Sequence, residues 1–156
     1  MSNTELIQTF YRAFAANDIE GMVACYAPDV VFADPAFGEL RGKDAHDMWR
    51  MLVQRGGGAN EVSFGNVTGE GKHVTADWMA RYQYGPRKRM VINEVQAEFV
   101  VENGKIVRHT DRFNLWRWAR QALGLNGLLI GWSAFFQARM QETTRGMLKD
   151  WQKANG

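Results

Sequence analysis

Val-Val-Phe-Ala-Asp-Pro-Ala-Phe-Gly-Glu-Leu-Arg-Gly, residues 30–42, is the stretch from which the rest of the chain is read. Its first half is a short apolar strand that stops at Asp34-Pro35, because proline fixes its own φ, has no amide proton and pushes the preceding residue into an extended conformation. Side chains of a strand alternate between faces, so Val30, Phe32 and Asp34 share one face while Val31 and Ala33 share the other. An ionisable group thus follows two apolar ones toward the interior. Two meanings of Asp34 stay open. As a general base in an apolar pocket it would be desolvated by Phe32, Trp78 and Tyr82, which lifts a carboxyl above the roughly 3.9 of a free aspartate. As a turn residue it would close the Asp-Pro loop with its own side chain.

Upstream, Leu6, Ile7, Phe10 and Phe14 make one apolar face of a helix over residues 4–16, with Asn3 or Thr4 as N-cap. A second helix, residues 19–26, opens at Asn17-Asp18 and ends at Ala27-Pro28. Downstream, a third spans residues 42–54, with Ala45, Met48, Trp49 and Leu52 as its inward stripe and Arg55-Gly-Gly-Gly as its stop. From residue 60 the apolar period shortens to two. Strands are expected over 61–68, 73–84, 90–102 and 105–114, separated by Gly, Pro or Asn-Gly, as an antiparallel meander. Val74, Ala76, Trp78, Ala80, Tyr82 and Tyr84 should face inward from the second of these, and Val91, Asn93, Val95, Ala97 and Phe99 from the third. On the fourth, Val107, His109, Asp111 and Phe113 share the inner face. A Trp-rich segment follows, then a broken apolar stretch over 123–136, then a helix to about residue 153 with Phe136, Met140, Met147 and Trp151 as its stripe.

The chain has 156 residues, 46% hydrophobic and 23% charged, the composition of one globular domain with a sizeable core. A net charge of +2 speaks against a nucleic-acid or membrane partner, and Arg81, Arg87, Lys88 and Arg89 read as a solvated face. The stretch over 123–136 is too short and too interrupted to span a bilayer. The N-terminus carries no basic segment followed by an apolar core, so a cytoplasmic location is expected. Cys25 is the single cysteine and forms no internal disulfide. His46, His73 and His109 are scattered, without metal-ligand spacing, and no metal is expected. Gly65-Asn-Val-Thr-Gly-Glu-Gly-Lys has its glycine one place late for a phosphate loop and His73 where Ser or Thr is needed, so it reads as a hairpin turn.

Helices, a strand ending in Asp-Pro, a further helix and a meander closing at aromatic residues resemble the nuclear transport factor two-like superfamily, most closely its SnoaL-like and ketosteroid-isomerase-like members. The resemblance is carried by Phe10-Tyr-Arg-Ala-Phe-Ala-Ala-Asn-Asp-Ile-Glu-Gly-Met, by Val31-Phe-Ala-Asp-Pro with Gly42 after it, and by Gly104-Lys-Ile-Val-Arg-His-Thr-Asp-Arg-Phe. It implies an α+β, cystatin-like fold: a cone-shaped curved antiparallel sheet wrapped by N-terminal helices around an apolar pocket. Residues 1–118 would form that domain. Residues 119–156 would be a C-terminal helical extension packed on the same domain or on a dimer partner. The fold hosts many activities, so it does not name one.

The resemblance places Asp34 at the general base of ketosteroid isomerase and Asp111 at a carboxylate used by limonene-epoxide-hydrolase-like relatives. Neither pattern is complete. Phe10 and Ala97 stand where the isomerase has the tyrosine and the protonated aspartic acid that stabilise its dienolate, and Trp78 and Ala80 stand where the hydrolase triad needs arginine and aspartate. The expected reading is a cofactor-independent isomerase, cyclase or hydrolase using Asp34, Asp111 and His109 on a small hydrophobic or polycyclic substrate. Asn93, Trp78, Tyr82, Phe10, Phe14, Phe32, Phe113 and Trp49 would contact that substrate, and a homodimer is the expected assembly. On a strand, His109 and Asp111 lie about 7 Å apart along the backbone; they either share a substrate or form a buried hydrogen-bonded pair. Asn93 either orients the substrate or satisfies a backbone irregularity. Two other functions remain open: holding a hydrophobic ligand without chemistry, and docking a protein through the C-terminal extension.

Overall fold

The computed structural model describes residues 1–56 and 61–156. Gly57, Gly58 and Asn60, which the sequence reading uses to end the third helix and begin the strands, lie outside the described residues. The first helix, α1 (Asn3–Ala15), is capped by Ser2 rather than by Asn3 or Thr4. The Ser2 hydroxyl accepts from the Glu5 amide while the Glu5 carboxylate accepts from the Ser2 amide, a capping box that satisfies two otherwise orphaned donors. Asp18 caps α2 (Ile19–Ala24) by accepting from the Gly21 amide. That helix ends before Tyr26, and Ala27-Pro28 is not its stop. Both residues lie inside the first strand, β1 (Tyr26–Asp34). Its ladder with β6 (Lys105–Arg112) skips from Tyr26 to Val31, an irregularity that accommodates a proline with no amide to donate.

A short strand absent from the sequence reading, β2 (Gly38–Arg41), turns back on β1. In α3 (Lys43–Gly56) Ala45, Met48 and Trp49 point inward as expected, but Leu52 is 37% exposed and Met51 and Val53 are buried in its place. The strands β3 (Glu61–Glu70), β4 (His73–Tyr84), β5 (Arg89–Glu102) and β6 form the antiparallel meander. The curved, unclosed six-stranded sheet has the order β2-β1-β6-β5-β4-β3, with β1 beside β6 as its parallel pair. Asn103 and Gly104, both at positive φ (52° and 75°), make the two-residue turn that the strand twist favours between β5 and β6.

A bulge at Val100/Val101 alters the phase at the start of β6. Ile106 is fully buried there and Val107 only half-buried, after which His109 and Asp111 face inward. On β4 the expected inward set is buried or half-buried from Val74 to Tyr82, while Tyr84 at the strand end is exposed.

Three helices close the chain: α4 (Leu115–Leu123), α5 (Leu125–Ile130) and α6 (Ala134–Asn155). The last lies along the loop after Asp34. Gln137 and Gln141 donate to the Pro35 carbonyl, Thr144 to that of Ala36 and Arg145 to that of Phe37. Trp151 donates to Gln54 of α3. In α6 the fully buried residue is Leu148, and Met147 is 39% exposed.

Candidate active site

Asp34 ends β1 because Pro35 cannot continue it, and its side chain then shapes the turn. Oδ1 accepts from the amides of Ala36 at 2.9 Å and Phe37 at 2.6 Å. The turn role is therefore met, and it does not remove the side chain from the interior. The turn bonds favour the charged form, yet burial outweighs them and raises the pKa to about 7, with the nearby Asp111 charge pushing the same way. The register explains that neighbour: Phe32 pairs with His109 and Ala33 with Thr110, so the next step along two strands about 5 Å apart sets Asp34 beside Asp111. Asp34 keeps part of its surface in solvent, whereas Asp111 is 3% and His109 0% exposed.

His109 and Asp111 bond directly, Nε2 to Oδ1 at 2.8 Å. The bond belongs to a longer chain. Trp49 Nε1 meets the Tyr26 hydroxyl at 2.8 Å, that hydroxyl meets His109 Nδ1 at 2.7 Å, and Trp78 Nε1 meets Asp111 Oδ1 at 3.2 Å. An indole N–H can only donate, so Trp49 donates to the Tyr26 oxygen. One arrangement then leaves no buried donor unpaired: Tyr26 donates to His109 Nδ1, and His109 donates from Nε2 to Asp111. Both bonds to Asp111 fall on Oδ1, and among the described residues Oδ2 takes none. Burial holds the Tyr26 hydroxyl protonated, its pKa well above the ordinary value despite the Trp49 bond.

Around this chain the ring of His109 lies 4.2 Å from that of Phe99 in a stacked arrangement, with Phe10, Phe32 and Trp49 also against it. Phe14 packs edge-on against Trp49 and leans on Trp78. The expected residues Phe10, Phe14, Phe32, Trp49 and Trp78 are thus brought together with Asp111 and His109. Tyr82, Asn93 and Phe113 make no hydrogen bond to that chain among the described residues, although Tyr82 lies near enough to Asp34 to feel its charge. Tyr82 accepts from Trp118 Nε1 at 2.8 Å, and burial lifts its pKa to about 12, with smaller contributions from Tyr84 and then Asp34. Phe113 packs between the main core and a second cluster around Val91 and Trp118. Asn93, paired with Ala80, is half-buried.

Sequence reasoning missed two residues. Tyr26 was hidden because Pro28 reads as a helix stop, which places Tyr26 in α2 rather than in the sheet. Tyr11 is 1% exposed, and its hydroxyl has no hydrogen-bond partner among the described residues. Burial and then the Asp111 charge hold its pKa well above the ordinary tyrosine value. A signal for Tyr11 exists, since Ile7, Tyr11 and Phe14 also follow helical spacing.

Two depressions of about 670 and 320 Å³ lie at Arg89–Gln121 and at Phe64–Trp78, and neither is lined by Asp34 or Asp111. Among the described residues no group of His, Cys, Asp and Glu is arranged to hold a metal ion.

The helices and the sheet order agree with a match of residues 7–109 to the family model for the SnoaL-like domain. The chain belongs to the SnoaL-like family. Solved structures share this SnoaL-like fold at low identity. A candidate polyketide cyclase from Pseudomonas putida KT2440 is 22% identical, with a TM-score of 0.65 over 78% of this chain and 98% of that one. An LEH-like epoxide hydrolase from M. tuberculosis is 23% identical, with a TM-score of 0.62 over 80% and 92%. An NTF2-like protein of unknown function from Burkholderia pseudomallei K96243 is 21% identical, with a TM-score of 0.63 over 79% and 99%. No curated protein matches the chain. The family expected from residues 10–22, 31–42 and 104–113 is the one found.

Proposed function

We propose that this SnoaL-like protein is a cofactor-independent enzyme that moves a proton on a small hydrophobic or polycyclic substrate, in an isomerisation, cyclisation or hydrolysis. The observation that carries the reading is the pairing of a partly solvent-reachable Asp34, with a pKa of about 7, and a buried Asp111 on the adjoining strand. A carboxyl near neutrality is well matched to general acid–base work at neutral pH. Asp34 takes or gives the substrate proton. Asp111 is the second carboxylate, and His109, oriented by Tyr26, positions it. A homodimer is part of the proposal, with size-exclusion chromatography as its check.

The test begins with a screen of carbonyl and epoxide compounds against the parent chain. For a substrate so found, Asp34→Asn should lower kcat/KM by about 10²–10⁴-fold and remove a pH–rate inflection near 7, with circular dichroism unchanged. Full turnover by the Asp34→Asn or the Asp111→Asn variant would overturn the mechanism. Saturable binding of hydrophobic compounds with no turnover would instead favour ligand holding, a reading that the missing donors at Phe10 and Ala97 support.

A further inference from the structure

The α5 helix and the start of α6 present an apolar surface to solvent. Leu125, Leu128, Leu129, Ile130, Trp132 and Phe135 are between 45% and 73% exposed. Monomeric proteins rarely leave such a contiguous patch uncovered without a use for it. This is built structure: a Cβ at Gly127 would fall 1.9 Å from the Ala119 carbonyl oxygen, so α5 is seated directly on α4. Trp116 Nε1 donates to the Leu128 carbonyl and Trp132 Nε1 to that of Leu129. Both indole N–H groups are satisfied inside the tip.

Beside it lies the depression of about 670 Å³ lined by Arg89, Met90, Arg117, Arg120 and Gln121. Its three guanidinium groups have little countercharge. Arg117 bonds Glu94 at 3.3 Å, Arg89 donates to the Gln121 carbonyl, and Arg120 lies 4.3 Å over the Trp116 ring. Between Asp111 and Glu142 the chain carries Arg112, Arg117, Arg120 and Arg139 and no acidic residue. Apolar side chains and indoles next to arginines of which, among the described residues, only Arg117 has a carboxylate partner are the chemistry of a surface that rests in the headgroup region of an anionic bilayer. A second copy fits less well, because a tip-to-tip two-fold contact would cover the apolar side chains and supply no anionic partner to Arg89 and Arg120.

We propose that the α5 tip and the arginine depression dock this protein on anionic phospholipid membranes, the tip entering the interface and the arginines binding phosphate headgroups. Among the described residues no helix is long and apolar enough to cross a membrane, and a peripheral contact needs none. The sequence expectation of no membrane partner rested on net charge and on the lack of a spanning segment. Neither bears on a local patch of this kind.

The experiment is co-sedimentation of the full chain with phosphatidylcholine vesicles, with and without phosphatidylglycerol, beside a Leu129→Asp/Phe135→Asp variant and an Arg120→Gln variant. Those side chains are exposed, so melting curves should match the parent. Expected are binding at least about tenfold stronger with phosphatidylglycerol, weakening with salt, loss of binding in the tip variant and reduced binding in Arg120→Gln. Absence of binding to either vesicle, or undiminished binding by the tip variant, would overturn the proposal. So would a parent dimer that the tip variant turns into monomer, which assigns the patch to a second copy, and so would saturable binding of inorganic phosphate without vesicle binding.

Discussion

Tyr11 is the residue with the least obvious reason to be polar. Its ring stacks on Phe64 at 5.4 Å and meets Phe10 and Phe99 edge-on, work that phenylalanine does equally well. The hydroxyl adds a buried polar group without a partner among the described residues, which costs about 1–3 kcal/mol. Tyr11→Phe should therefore raise stability by about 1 kcal/mol, read as a higher urea midpoint with an unchanged slope. A loss of stability would mean that the hydroxyl is bonded, and a gain accompanied by lost turnover would make it a substrate donor. At this scale the sequence was informative about which side chains face inward and uninformative about what each one touches. Alternation put Asp34, His109 and Asp111 on interior faces, but the Nε2–Oδ1 bond, the Tyr26 link and the unpartnered Tyr11 depend on rotamers chosen by packing between distant segments.

Elements show the same division. The meander was legible because period two is a property of consecutive residues and Asn103-Gly104 is suited to its turn. β2 was not, since Gly-Glu-Leu-Arg has little strand character and becomes a strand only by pairing with β1. For α6, helical spacing offered Met147 to the stripe, whereas packing against α3 and the β1–β2 loop buries Leu148. Leu148→Ala should cost about 2–4 kcal/mol, and Met147→Ala less than about 1 kcal/mol, compared by denaturant midpoints. Equal costs would mean that the helix is rotated from the phase described. The bonds from Gln137, Gln141, Thr144 and Arg145 to the carbonyls of residues 35–37 make α6 a clasp over the Asp34 turn. The order of that turn therefore depends on residues a hundred positions away.

For the molecule as a whole, Asp34 makes stability depend on pH in a direction set by its raised pKa. A carboxyl at about 7 in the folded chain and 3.8 when free in water binds its proton more tightly when folded. Its favourable contribution is complete below about pH 4 and is lost as pH rises to about 7. Asp34→Asn keeps an oxygen for the Ala36 and Phe37 amides and removes the desolvated charge. It should be more stable than the parent above pH 7 by about 2 kcal/mol, partial solvent contact having reduced the full linkage value, with the gap closing toward pH 4. Melting temperatures across that range check it, and a gap independent of pH would place the carboxyl in ordinary solvent. The linear chain by itself determined the periods, the turns of the meander and the inward faces of its strands up to their ends, and with them the family, because each of these is written in neighbours a few residues apart. Only the tertiary structure decided the parallel β1–β6 register that sets Asp34 beside Asp111, the burial that carries Asp34 toward neutrality and the hydrogen-bonded chain through Tyr26. These arise from segments far apart in sequence, whose meeting depends on how the whole core closes.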